Sequence, residues 1–166
     1  MKYLNLILIM SLLGCDTEKP SDMFNLDAGV SFYVVDENDN DLLDPENENA
    51  IGYNDITIYY LVDGEKQEFY NPDLDGPKGF SIFEPEGLFT KYNIGLGLNT
   101  KGTEKITTTL IEWYNTEVDT IKAEIERGDN YAISTKIWFN DIVVWDVNNP
   151  ELSETKNGSR FFQIVK

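Results

Sequence analysis

The chain has 166 residues, with 30 Asp and Glu against 13 Lys and Arg, no histidine and one cysteine. A formal net charge of −17 repels nucleic acid and anionic lipid surfaces, so neither is an expected partner. Without histidine no Ser-His-Asp triad can form, and a single cysteine leaves no His/Cys set for zinc.

Met1-Lys2 and the apolar run from Tyr3 to Leu13 have the form of a secretory signal. That run is eleven residues. A spanning helix needs roughly 17–25, so no retained transmembrane helix is expected. Leu12-Leu13-Gly14-Cys15 resembles the lipobox of bacterial lipoproteins. The resemblance implies that residues 1–14 are removed and that Cys15 is diacylated. Lipidation would consume the only thiol, leaving no disulfide and no cysteine nucleophile. The expected location is the bacterial cell envelope, lipid-anchored, at the outer membrane or cell surface rather than the inner membrane. Residues 15–27 read as the lipidated cysteine and a polar tether carrying Pro20. The stretch from Asp16 onward spans roughly 40 Å when extended. Residues 28–166 are then one domain, large enough to bury its own core.

Period-two alternation dominates that domain. Val30, Phe32 and Val34 alternate with Ser31 and Tyr33, and Ile56, Ile58, Tyr60 and Val62 with Thr57, Tyr59 and Leu61. Asp63-Gly64 predicts a hairpin turn into Gln67–Tyr70. Gly79–Phe83 and Tyr92–Leu98 read as shorter strands, the second weakened by Gly95 and Gly97. Thr107-Thr108-Thr109 favours strand over helix in Lys105–Trp113. Val118–Glu126 fits a helix face or a strand face. The strand is favoured because Gly128-Asp129-Asn130 would join it to Tyr131–Phe139 as a hairpin. In that second strand Tyr131, Ile133, Thr135, Ile137 and Phe139 are expected on one face. Asn140-Asp141 turns into Ile142–Val147, and Asn157-Gly158 precedes a last strand, Arg160–Val165. Roughly eight to ten short strands without a convincing helix predict an all-β fold, an antiparallel β-sandwich.

Three segments carry a family resemblance. Val34-Val35-Asp36-Glu37-Asn38-Asp39-Asn40-Asp41-Leu42-Leu43-Asp44-Pro45 resembles the first strand and loop of small bacterial lipoproteins of unknown function. Trp113 through Glu124 and Lys136-Ile137-Trp138-Phe139-Asn140-Asp141-Ile142-Val143-Val144-Trp145 resemble the later hairpins of that group. The group's turn carries glycine after the asparagine, where this chain has Asp141. The resemblance implies an immunoglobulin-like sandwich and implies no activity.

Seven acids, Asp36, Glu37, Asp39, Asp41, Asp44, Glu46 and Glu48, fall within thirteen residues that hold no Lys or Arg. Calcium takes several oxygens from one loop, and Asp36, Asn38, Asn40 and Asp44 match the side-chain ligand spacing of an EF-hand. Asp41 stands where that motif needs Gly and Asn47 where it needs Glu, so at most this is a loop site with similar ligands. If strands run up and down, Asp73 and Asp75 would lie at the same end and complete a shared cation site. The alternative is a pair of solvated turns, with Asp, Asn, Pro and Gly chosen for turn geometry.

Trp138 and Trp145 are the candidate ligand-binding aromatics, since flat rings on a sheet stack on sugars or fill a partner's hot spot. Packing within the fold is the alternative. Tyr33 and Tyr59 fall on the less apolar faces of their strands. No phosphate-binding glycine loop occurs, and no catalytic residue can be assigned. Paired carboxylates would still permit glycoside hydrolysis. The expected function is a monomeric, non-catalytic binding or adhesion module for a glycan or an envelope protein. The alternatives are a structural envelope component without small ligand and a carboxylate-based glycoside hydrolase.

Overall fold

The structure, a computed structural model, describes residues 24–152 and 159–166. Cys15, the lipobox and the Asn157-Gly158 turn lie outside the described residues. Alternating apolar side chains build eleven strands there: β1 (Asn25–Asp27), β2 (Gly29–Val35), β3 (Ile56–Val62), β4 (Glu65–Glu68), β5 (Phe80–Phe83), β6 (Asn93–Gly97), β7 (Ile106–Trp113), β8 (Glu117–Gly128), β9 (Tyr131–Phe139), β10 (Ile142–Asp146) and β11 (Phe161–Val165). One sheet has seven strands in the order β1-β9-β8-β7-β3-β4, with β10 sharing the edge of β9. The other has four, in the order β11-β2-β6-β5.

The inner faces meet in one core. Val30, Phe32, Val34, Phe80, Ile94, Leu96, Phe162 and Ile164 of the small sheet pack against Ile56, Ile58, Ile111, Trp113, Ile121, Ala123, Ile125 and Ile137 of the large one. Each of the Val, Leu, Ile and Phe side chains contributes about 1.5–3 kcal/mol on burial. The fold is therefore an all-β sandwich, as the alternation predicts. It is mixed rather than purely antiparallel, because β1 runs parallel to β9 and β11 parallel to β2. Neither of those strands is delivered by a hairpin, so nothing local forces an antiparallel pairing.

Four local expectations are corrected. Asn25–Asp27, read as the end of the tether, form an edge strand. The hairpin after β3 closes at once, with Asp63 and Gly64 both at positive φ and Val62 opposite Glu65. Its second strand is therefore Glu65–Glu68 rather than 67–70. In β9 the register jumps from Lys136 opposite Glu124 to Ser134 opposite Ile125, so Thr135 is an extra, bulged residue. That bulge turns Ala132 and Ser134 inward in place of Tyr131, Ile133 and Thr135. In β10 Val143 pairs with Trp138 and Trp145 with Ile137, leaving Val144 as the extra residue.

Candidate functional site

One stretch of the outer face of the small sheet carries only glycine and serine. Ser31, Gly95 and Ser81 stand in register across β2, β6 and β5. Gly29 and Gly97 form the next row, and the Gly97 N–H donates to the Gly79 carbonyl at 2.9 Å. A Cβ at Gly29 would meet only the Leu96 carbonyl at 3.6 Å, and one at Gly97 the Gly79 carbonyl at 3.5 Å. Those are ordinary contacts, so the protein does not itself crowd out a side chain at either position. Gly95 differs: its Cβ would lie 2.7 Å from the Phe83 ring, which therefore rests on the glycine. The ring covers the bare backbone while its other side stays open, Phe83 being 54% exposed.

Aromatic side chains wall this floor. The segment after β5 folds back over the sheet, and the Thr90 N–H donates to the Tyr33 hydroxyl at 2.8 Å. Phe89 thereby lies 5.3 Å from Phe161 and 6.4 Å from Tyr33 between ring centroids. Phe161 points outward yet is buried under these two rings. A bidentate ion pair closes one end, Arg160 donating to both carboxylate oxygens of Asp27. The Arg160 hydrogen bond is the main reason the Asp27 carboxyl titrates below its ordinary range. The resulting cavity is about 560 Å³, lined by Phe83, Phe89 and Phe161, the glycines, Ser31 and the ion pair. A second cavity of about 480 Å³ shares Gly95 and Gly97 and runs on past Tyr60, Phe69, Leu74 and Asp75. The first cavity is a trough with a glycine-rich floor, aromatic walls and a charged end.

The residues singled out from sequence fall elsewhere. Asp36 Oδ1 accepts the Asn38 and Asn40 N–H groups, both at 2.8 Å, and its Oδ2 accepts Asn40 Nδ2 at 2.7 Å. Those bonds, the Asn40 side chain's first, hold the Asp36 carboxyl below its usual range. Asp44 accepts the Glu46 N–H at 2.9 Å, and Asn71 plays the same part for Asp73 at 3.1 Å. The acids and amides thus serve as turn formers. Asp75 lines the second cavity, whereas Asp36 lines a third one beside Trp113. Among the described residues no three His, Cys, Asp or Glu side chains are grouped to hold a metal ion.

Trp138 is half-buried on the outer face of the large sheet, with Lys136 Nζ 5.3 Å from its ring. Trp145 is not an exposed ring: it is 6% exposed. The bulge at Val144 separates it from Val143 and turns it inward opposite Ile137. The Arg160 guanidinium covers it at 4.9 Å, so Trp145 supports the trough's charged end from behind. The two tryptophans share no surface. Gly95 and Gly97 were the available sequence signal for the trough, since i and i+2 in a strand share a face. The strand order that sets Ser31 and Ser81 beside them is not a local property.

No protein-family model matches the chain, and neither curated proteins nor solved structures yield a match.

Proposed function

We propose that the protein is a lipid-anchored, non-catalytic binding module of the bacterial envelope, held by Cys15, whose ligand is a neutral glycan seated in the trough. The observation that carries this reading is the 560 Å³ cavity with the open Phe83 ring over a glycine-rich floor. A pyranose offers an apolar face to an aromatic ring and hydroxyls to polar groups around it. Ser31, Ser81 and the Asp27–Arg160 pair supply such groups, and the backbone at Gly29 and Gly97, where a Cβ would meet only ordinary contacts, lets a ring approach closely. The net charge of −17 favours a neutral ligand over an anionic one.

The test is a glycan array probed with the detergent-solubilised full chain, followed by calorimetry on any hit. Phe83→Ala is expected to weaken binding about tenfold, the equivalent of one lost stacking contact. Trp138→Ala, on the opposite sheet, is expected to leave it unchanged. An array silent for every neutral glycan, or a hit lost with Trp138 rather than Phe83, removes the trough as the binding site. Anchoring is read separately: Cys15→Ala should move the protein from the membrane to the soluble fraction and abolish incorporation of labelled palmitate.

A further inference from the structure

A second cluster joins the two sheets and plays no part in the trough. The Lys166 N–H donates to the Val35 carbonyl at 2.8 Å, which continues the β11–β2 pairing and aims the lysine side chain at the large sheet. Its Nζ stands 4.8 Å from the centroid of the buried Trp113 ring. It touches Asp119 Oδ2 and lies 2.8 Å from Glu117 Oε1. Asp119 is 5% exposed, on the inward face of β8 beside Ile121. Two donors address its carboxyl from the protein side: Trp113 Nε1 to Oδ2 at 2.8 Å and Asn140 Nδ2 to Oδ1 at 2.7 Å.

We propose that Lys166 and Asp119 condense to an intramolecular amide that links the two sheets covalently, with Glu117 carrying the protons. The amine must be neutral and the carboxyl protonated to react, so one proton passes from Nζ to Asp119 by way of Glu117. The Nζ lone pair then attacks Asp119 Cγ and a C–N bond forms. Trp113 Nε1 and Asn140 Nδ2 hold the two oxygens of the tetrahedral intermediate as its charge develops. Nζ gives a further proton to Glu117, which delivers it to the departing hydroxyl. The C–O bond breaks and one water leaves. Amine and acid become amide and water, with no oxidant or reductant needed.

Three features favour condensation over a lasting ion pair. The fold holds amine and carboxyl in contact, which replaces a bimolecular encounter with a positioned one. Burying two charges is costly even when they are paired, and the amide removes both. The cavity of about 300 Å³ lined by Lys166, Glu117 and Trp113 gives the water an exit. The bond would cross-link residues 119 and 166, and a cross-link of this kind stabilises chiefly by restricting the unfolded chain.

Peptide mapping by mass spectrometry on the purified full chain tests this. The expected result is a branched peptide joining the Asp119 and Lys166 fragments, lighter than their sum by one water. Recovery of both fragments unlinked and unmodified from the folded wild type overturns the proposal, whatever the variants do. Asp119→Ala and Lys166→Arg should each abolish the branched peptide. Glu117 is largely exposed, so Glu117→Gln should keep the fold by circular dichroism while remaining unlinked. Undiminished linking in Glu117→Gln would overturn its assigned part.

Discussion

Tyr60 belongs to the core by its ring and to the small sheet by its hydroxyl. It is buried, packs 4.8 Å from Phe69, and donates across the sandwich to the Gly97 carbonyl at 3.1 Å. Burial alone pushes its hydroxyl from the ordinary 10.0 up to about 12. The folded state therefore keeps a proton that the unfolded chain releases first. Its contribution is complete below pH 10 and is lost as pH rises through the folded value. Between those limits the unfolded state binds fewer protons, so stability falls with pH, by about 3 kcal/mol for this group. Tyr60→Phe should cost about 1 kcal/mol at pH 8 through the lost hydrogen bond. It should then lose less stability than wild type between pH 8 and pH 11. Urea denaturation at both values measures this, and parallel losses in the two proteins would show that Tyr60 does not titrate as its burial requires.

Hairpins and bulges decide how far the sequence can be read at the scale of elements. Ten of the eleven described strands overlap segments read as strands, most of them because a half-buried strand repeats every two residues and the chain shows that repeat directly. β1 escaped because all three of its residues are exposed and no apolar rhythm marks it. β4 was displaced because Glu65–Glu68 is entirely polar, a charged edge that carries no pattern and discourages pairing with another sheet. Thr135 and Val144 misdirect the reading for a different reason: a bulge adds a residue without advancing the ladder, so faces counted through it come out inverted. Trp145, counted on one face with Val143, is separated from it by the extra Val144 and takes the packing role that was the alternative to ligand binding. The trough was less legible still, since it exists only once β2, β6 and β5 are placed side by side. The turn between β9 and β10 carries a prediction of its own. Asn140 and Asp141 sit at φ 46° and 67°, the arrangement of a two-residue turn in which both positions are left-handed. Asn140 is committed there, since it accepts the Thr120 N–H and donates to Asp119. Asp141 has only an exposed pair with Lys122, worth a few tenths of a kcal/mol. Asp141→Gly relieves the left-handed strain and should raise stability by about 0.5 kcal/mol, read as a higher urea midpoint at unchanged slope. A lower midpoint would mean that the Lys122 pair outweighs the backbone.

Charge is a property of the whole molecule, and here it opposes folding. Seven of the described cations already stand in ion pairs, among them Lys66 with Glu112, Lys91 with Asp39 and Lys136 with Asp146. Most of the acids among the described residues stand outside such pairs. Surface pairs contribute about 0–1 kcal/mol each and weaken with salt, while repulsion among the surplus acids weakens with it too. At a net charge of −17 the repulsion is the larger of the two, so screening should stabilise the fold. Raising sodium chloride from about 0.01 M to 0.15 M shortens the Debye length from about 30 Å to 8 Å. In EDTA this should raise the melting temperature by a few degrees, since about 1 kcal/mol moves a domain of this size by about 2–4 °C. A falling melting temperature would mean that the ion pairs carry the fold. The same melt decides what the Asp36 loop does with calcium. General screening by about 1 mM calcium at matched ionic strength adds little beyond sodium. A site with a dissociation constant near 10 μM would instead add about 2.7 kcal/mol, a rise that Asp36→Ala would abolish. Because Asp36 already accepts three hydrogen bonds from its own loop, calcium should move the melt no further than magnesium does. A calcium-specific rise would mean that the loop rearranges to turn that carboxylate outward.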